Sequence, residues 1–103
     1  MALEINDIGR TIQITGTTAA SEKVTDDHCY ISKIVWYNAT SAADKLNITD
    51  KDGNDIFPFV AAGSNRMVSY DFMVCPHPID GIYIDDLDSG EVYIYIATRP
   101  GAM

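Results

Sequence analysis

The residues with the most suggestive chemical spacing are acidic and lie in one loop. Asp50, Asp52 and Asn54 stand at alternate positions, as do the first ligands of an EF-hand calcium loop. Such a loop needs a glycine directly after the third ligand and a bidentate carboxylate at its twelfth position, but Asp55 and Ala61 stand there. The segment is therefore predicted to be a polar β-turn that binds no cation.

A second acidic cluster occupies the stretch from residue 80 to residue 91 and comprises Asp80, Asp85, Asp86, Asp88 and Glu91. Two or three of these carboxylates meeting at one loop would suit a hard cation. A solvated strand and turn would use the same charges to keep a sheet edge soluble. The sequence favours the solvated surface and leaves cation binding at this cluster open.

Two cysteines and two histidines supply enough ligands for a structural zinc site, in the segments His28-Cys29 and Cys75-Pro76-His77. Their spacing is not that of a zinc finger, and adjacent residues of a strand point to opposite faces. Cys75 and His77 match a catalytic thiol–imidazole pair in composition alone, without an evident orienting group. We therefore expect no metal, no cofactor and no catalytic residue, and the chain is predicted not to be an enzyme. Whether Cys29 and Cys75 form a disulfide stays open.

Tyr93 and Tyr95 are the first candidates for a binding surface. They alternate with three apolar residues that are expected to face a core, Val92, Ile94 and Ile96, so both tyrosines must face outward. Tyr83, on the preceding predicted strand, is expected to join them.

Phe57 and Phe59 are further interface candidates, because they face opposite to Ile56 and Val60 and one of these two pairs must lie outside the core. An outward aromatic set has three open explanations: cover by a second sheet, a protein interface, or a platform on which sugars stack.

The elements that position these residues are predicted to be strands, because apolar and polar residues alternate along most of the chain. About seven strands are expected, at Thr11–Thr15, Tyr30–Tyr37, Lys45–Thr49, Asp55–Val60, Val68–Val74, Gly81–Asp85 and Glu91–Ala97. The imperfect alternation of Tyr30–Tyr37 indicates a central or bulged strand, and Pro58 places its strand at a sheet edge. The turns Asp50–Asp55 and Asp86–Gly90 predict two hairpins, and helix is limited to single turns near 19–23 and 41–45. The expected fold is one antiparallel β-sandwich, jelly-roll-like or Ig-like.

The length and net charge of the chain limit its number of domains and the classes of molecule that it can bind. The 103 residues suffice for one domain, 1–103, in which the weakly patterned stretches 1–10 and 98–103 are expected to be flexible arms. Seven basic and fifteen acidic residues give a net charge of −8, which argues against binding nucleic acid. No apolar run approaches the ~20 residues that span a bilayer, and the first residues lack the features of a signal peptide. We expect no membrane partner and synthesis in a cytoplasm.

The order of strands and turns resembles a known class of viral proteins. The matching segments are Ile12-x-Ile14, Ile34-Val35-Trp36, Leu46-x-Ile48-x-Asp50-x-Asp52-Gly53-x-x-Ile56, Pro78-x-x-Gly81-x-Tyr83 and Leu87-x-Ser89-Gly90-x-Val92-x-Ile94-Tyr95. Together they run from about Thr11 to Ala97. This pattern is similar to that of small acidic all-β structural proteins of tailed bacteriophage virions, in particular capsid decoration (cement) proteins.

The resemblance implies a non-enzymatic virion protein, often a homotrimer, that binds the major capsid protein or another virion protein. Bridging neighbouring subunits would add binding free energy to the assembled shell alone and so stabilise it. The alternative is a small carbohydrate-binding or tail-accessory module that uses the same aromatic residues. A third possibility is a calcium-dependent adhesion domain built on the acidic cluster. The sequence leaves open whether a head, neck or tail position applies.

Overall fold

The computed structural model describes residues 3–7, 10–18, 20–37, 39–40, 43–60, 68–71 and 76–98. Within these ranges the chain forms eight strands and no helix. The strands are β1 (Leu3–Asp7), β2 (Thr11–Gly16), β3 (Glu22–Tyr37), β4 (Lys45–Thr49), β5 (Asp55–Val60), β6 (Val68–Asp71), β7 (His77–Leu87) and β8 (Glu91–Thr98). Every pairing between them is antiparallel, which confirms the predicted fold class.

The strands follow the order β1-β2-β8-β3-β7-β4-β5, with β6 also paired to β3. The sixteen residues of β3 serve two sets of neighbours. Its N-terminal part, from Glu22 to Ile31, pairs with β7, and its C-terminal part, up to Tyr37, pairs with β8 and β6. We call β1, β2, β8, the C-terminal part of β3 and β6 the first half-sheet. The N-terminal part of β3 with β7, β4 and β5 is the second half-sheet.

One core joins the two half-sheets, as a β-sandwich requires. Alternate residues of each strand point inward, so that the two half-sheets contribute interleaved aliphatic side chains. The largest fully buried residues are Trp36, Ile12, Ile14, Ile31, Ile34, Leu46, Ile48, Ile82, Ile84, Leu87, Ile94 and Val92. Full burial of each such aliphatic side chain contributes roughly 1.5–3 kcal/mol to folding. In the described part of the chain, no helix is long and apolar enough to cross a membrane.

The long strand β3 is both central, between β8 and β7, and bulged, so both arrangements that its imperfect alternation indicated are present. The register of β3 against β8 shifts between Tyr30 and Ile31 and again between Ile31 and Lys33. Ile31 and Ile34 are both fully buried although they are three residues apart. The two residues between them, Ser32 and Lys33, consequently both lie on the outer side of the sheet.

The expected hairpin of Gly81–Asp85 with Glu91–Ala97 is wrong. β7 pairs with β3 and β4, whereas β8 pairs with β2 and β3, so the connection from Leu87 to Glu91 crosses between half-sheets. The Trp36 indole N–H donates to the Ser89 carbonyl at 2.8 Å and anchors this crossing inside the protein. The turn residues Asp86–Gly90 are compatible with a hairpin and with a crossing, so the sequence alone does not distinguish the two. The other predicted hairpin, β4 with β5, is confirmed.

Two local expectations are also corrected. Leu3–Asp7 form β1 and pair with β2, so this part of the expected N-terminal arm is an edge strand held by backbone hydrogen bonds. Glu22 and Lys23 begin β3 where a helical turn was expected, because their pairing with β7 outweighs local propensity. Of the other expected helical turn, residues 41–42 lie outside the described residues, while Ala43 is in a turn and Lys45 begins β4. Residues 72–74 of the expected Val68–Val74 strand and residues 99–103 of the expected C-terminal arm also lie outside the described residues.

Candidate functional site

Among the described side chains, the outer side of the first half-sheet carries three tyrosines, Tyr37, Tyr93 and Tyr95, and we call it the tyrosine face. Strand register fixes their neighbours. One cross-strand row contains Asn6, Gln13, Tyr93, Val35 and Ser69, and the next contains Thr11, Tyr95, Lys33 and Asp71. Each row spans several strands spaced about 4.8 Å apart. The expectation that Tyr93 and Tyr95 face away from the core is confirmed, since Val92, Ile94 and Ile96 are buried.

Tyr37 and Tyr93 form a fixed pair. Their rings are stacked with centroids 5.6 Å apart and planes inclined by 18°, and their hydroxyl oxygens lie 3.4 Å apart. The Gln13 amide donates to the Tyr93 hydroxyl at 3.0 Å, and that hydroxyl lies 3.4 Å from a Glu91 carboxylate oxygen. The hydrogen bond with Tyr93, together with partial burial and the nearby Glu91 carboxylate, raises the pKa of Tyr37 above its ordinary value. Tyr37 is therefore neutral at physiological pH, and the stacking and hydrogen bonds hold the pair in place.

Tyr95 is the most accessible of the three tyrosines, with 37% of its surface exposed. Its side chain lines a groove of about 350 Å³ together with Ser32, Lys33, Pro76 and Ala97. The Ser32 hydroxyl donates to the Tyr95 carbonyl at 3.1 Å and ties the bulge of β3 to β8. We call this depression the Tyr95 groove. Its volume is at the lower end of the range for small-molecule sites.

A second groove lies on the β1 side of the same half-sheet. It has a volume of about 280 Å³ and is lined by Glu4, Ile5, Asn6, Gln13 and Thr15. Carboxylate, amide and hydroxyl groups dominate this lining, so it offers several hydrogen-bond donors and acceptors. Gln13 connects it to the Tyr37–Tyr93 pair through the hydrogen bond to Tyr93.

Tyr83 does not join the tyrosine face. It lies on β7 in the second half-sheet, where its hydroxyl donates to an Asp26 carboxylate oxygen at 2.5 Å. This hydrogen bond is the main cause that raises the pKa of Tyr83 and lowers the pKa of Asp26. The expectation that placed Tyr83 beside Tyr93 and Tyr95 rested on the hairpin that the structure replaces with a crossing.

Phe57 and Phe59 belong to the core and not to an exposed surface. Each is 5% exposed, and their rings stack on each other with centroids 6.4 Å apart. Their neighbours along β5, Ile56 and Val60, take the outer positions, where Val60 is 61% exposed and Ile56 is half-buried. The predicted alternation is present, and the phenylalanines point inward because the larger apolar side chains remove more surface from water when they are buried.

The side chains of the acidic loop at residues 50–54 form hydrogen bonds within the loop itself. The Asp50 carboxylate accepts hydrogen bonds from the backbone N–H groups of Asp52 and Asn54 and from the Asn54 amide. These hydrogen bonds, the Asn54 side chain first, lower the pKa of Asp50. Gly53 has φ +85°, as the predicted turn requires. Within the described residues, no three or more histidine, cysteine or acidic side chains gather as a metal site.

The described parts of the two cysteine and histidine segments lie on the paired strands β3 and β7, where His77 is the register partner of Ile31 and its ring contacts Phe57. Cys29 is buried, with its sulfur 3.3 Å from the Asp27 carbonyl oxygen, while the adjacent His28 is exposed and lies 3.9 Å from Asp80. The two adjacent residues point to opposite faces of the sheet because side chains alternate along a strand, as expected. Cys75 lies outside the described residues.

Tyr37, Gln13 and Lys33 were not singled out from the sequence as site residues. A signal was present for Tyr37, because it follows the single tryptophan of the chain, and a buried Trp36 puts Tyr37 on the outer side. Gln13 lies between Ile12 and Ile14, both fully buried, and the same alternation places it outside. Lys33 carried no such signal, because its position depends on the bulge.

No family model and no curated protein sequence matches the chain. Two solved structures are similar to it. One is described as "BiXyn10A CBM1 APO", is 17% identical over 94% of this chain and 81% of that chain, and has a TM-score of 0.36. The other is the capsular polysaccharide assembling protein CapF from Staphylococcus aureus, 13% identical over 93% of this chain and 28% of that chain, with a TM-score of 0.33. At these identities and TM-scores neither likeness identifies a family or a function.

Proposed function

We propose that the protein is a non-catalytic β-sandwich that binds carbohydrate on the tyrosine face. The observation that carries this proposal is the placement of three tyrosines among polar residues on one sheet face, with a largely apolar groove beside the most exposed of them, Tyr95. Sugar rings have an apolar C–H side and a rim of hydroxyl groups. Aromatic rings pack against the apolar C–H side, and amide, hydroxyl and carboxylate groups form hydrogen bonds with the hydroxyl rim.

The hydrogen-bonded tyrosine pair supports the proposal because it is already ordered without a ligand. Gln13 and Glu91 hold the Tyr93 hydroxyl, and Tyr93 in turn stacks on Tyr37. A ligand that docks on side chains already fixed in position does not have to order them, which preserves affinity. Sugars make individually weak contacts, so a face whose side chains are already ordered loses less of their binding free energy to ordering.

The polarity of the surface favours this ligand over a protein shell. The buried core of a protein interface, and of a homo-oligomer interface in particular, is more apolar than the rest of the surface. Among the described residues, the large hydrophobic side chains that are exposed are Tyr30, Val60 and Tyr95, on three different strands. β5, which carries Val60, lies at the far end of the strand order from β1 and is separated from β8 by β3, β7 and β4.

The test is a glycan array followed by calorimetric titration of the best glycan. Tyr95→Ala is expected to weaken binding at least about tenfold, since loss of a ring contact costs on the order of 1.4 kcal/mol. Tyr30→Ala is the matched control, because Tyr30 is 39% exposed but packs edge-on against His28. If no glycan binds, or if the two variants weaken binding equally, the proposal is wrong.

The capsid-decoration role, the homotrimer and the virion location stay predictions. Light scattering on the purified protein addresses them together with the sugar proposal. A particle of three times the chain mass, combined with a Tyr93→Ser/Tyr95→Ser variant that stays folded but becomes a monomer, would place the tyrosines in a protein interface. A monomer whose array binding depends on Tyr95 would favour the carbohydrate module.

A further inference from the structure

The bulge in β3 gives the Tyr95 groove a positive charge. Because Ile31 and Ile34 both point inward, Ser32 and Lys33 both reach the outer side. Lys33 thereby faces Tyr95, its register partner on β8, and the two side chains line the same groove. β-Bulges commonly re-aim a side chain in this way beside functional sites.

Two cations lie at this groove in a protein of net charge −8. Lys33 is part of the lining, and the Arg10 guanidinium donates to the carbonyl of Ala97, another lining residue, at 3.1 Å. Asp71 on β6 is the register partner of Lys33 and is exposed, so the described residues around the groove carry two positive charges and one negative charge. The ion pairs found between described residues join Lys23 to Asp26 and Asp80 to His28 and Lys51, all on the second half-sheet or its β4–β5 turn.

We propose that the Tyr95 groove takes a carboxylate-bearing sugar unit, that is, a uronic acid. This inference rests on the carbohydrate-binding function proposed above and names its ligand class. The ring of the sugar lies against Tyr95 and Pro76, which supply apolar surface, and its carboxylate pairs with the Lys33 ammonium. A charge-assisted contact at a half-buried lysine is stronger than a neutral one and selects an acidic ring over its neutral equivalent.

The experiment compares oligogalacturonate and oligoglucuronate with the same oligomers after reduction of their carboxyl groups. Each pair differs in charge and keeps the same ring and linkage. Calorimetric titration of the full chain is expected to show at least about tenfold tighter binding of one acidic oligomer than of its reduced form. Amide NMR shifts on titration should centre on residues 32, 33, 95 and 97.

Lys33→Met keeps the aliphatic stem and removes the charge, and it is expected to abolish the preference for the acidic oligomer. Lys23→Met is the control, because Lys23 is an exposed lysine on the second half-sheet. The inference is overturned if Lys33→Met keeps the preference, or if the reduced oligomers bind as tightly as the acidic ones. In the latter case, neutral binding that is lost in Tyr95→Ala would leave the carbohydrate function standing. Absence of all glycan binding would overturn both proposals.

Discussion

Gly90 is the position where a single methyl group tests the central packing of the fold. It lies at the crossing from β7 to β8 with φ +85°. A Cβ added there would stand 2.6 Å from the Tyr37 carbonyl oxygen, 2.9 Å from the Trp36 indole nitrogen and 3.0 Å from the Ala39 backbone nitrogen. Gly53 has the same φ of +85°, but a Cβ there would meet nothing within 4 Å. The two glycines therefore differ in steric surroundings and share the same backbone conformation.

The expected losses follow from this difference. An alanine in the left-handed region costs about 1–2 kcal/mol, and the stiffer unfolded chain returns about 0.4–1 kcal/mol. Gly53→Ala should therefore lower the free energy of unfolding by about 1 kcal/mol. At Gly90 the clash with the Tyr37 carbonyl also displaces the crossing and strains the hydrogen bond from Trp36 to Ser89, which adds about 2 kcal/mol. Gly81→Ala should lie between them, since its nearest contact is the Lys51 Cβ at 2.9 Å.

Urea unfolding followed by the fluorescence of Trp36 measures these losses, because Trp36 is the single tryptophan. With a urea dependence of about 1–2 kcal/mol per molar for a domain of this size, the Gly90→Ala midpoint should lie about 1–2 M below that of Gly53→Ala. Equal midpoints for the two variants would refute the close packing of the crossing against β3.

Two further predictions concern the core and the acidic surface. Phe57→Ala should lower the free energy of unfolding by about 3–5 kcal/mol and Val60→Ala by at most about 0.5 kcal/mol, and similar losses in a denaturant titration would contradict the core position of Phe57. Burial and the neighbouring carboxylate of Asp88 raise the pKa of Asp86, so its ionised form opposes folding and its contribution to stability is lost as pH rises through the folded-state pKa. Asp86→Asn should accordingly raise the melting temperature at pH 7 and raise it less at pH 4, whereas an equal gain at both pH values would rule out the electrostatic cause.

Much of the fold could be predicted from alternation, because an inward face leaves a period of two in the sequence. β8 shows why this works: its aliphatic residues are buried and its tyrosines lie outside, as the pattern indicated. β4 and β5 were predicted with their hairpin, since a short glycine-bearing turn leaves the strands few other partners. The all-β fold class can thus be predicted from local sequence patterns.

What could not be predicted depends on contacts between distant segments. The Asp86–Gly90 stretch has the composition of a hairpin turn, yet β7 pairs with β3 and β4, and β8 pairs with β2 and β3. Ser89 in this stretch accepts a hydrogen bond from Trp36, 53 residues away. β1 was missed because five residues of mixed polarity gain their strand conformation from pairing with β2. The tyrosine face was only half visible, because the position of Tyr37 beside Tyr93 depends on the register between β3 and β8.

The same alternation separates stability from binding within a single strand. In β8, Val92 and Ile94 fill the core, whereas Tyr93 and Tyr95 meet solvent or their neighbours on the tyrosine face. Replacing an outward tyrosine removes about one ring contact and leaves the inward packing intact, so a loss of ligand binding in such a variant reports on the face and not on unfolding. Lys33 has the same advantage, because the bulge that places it outside is fixed by Ile31 and Ile34 and not by the lysine itself. The binding proposals can therefore be tested in a folded protein.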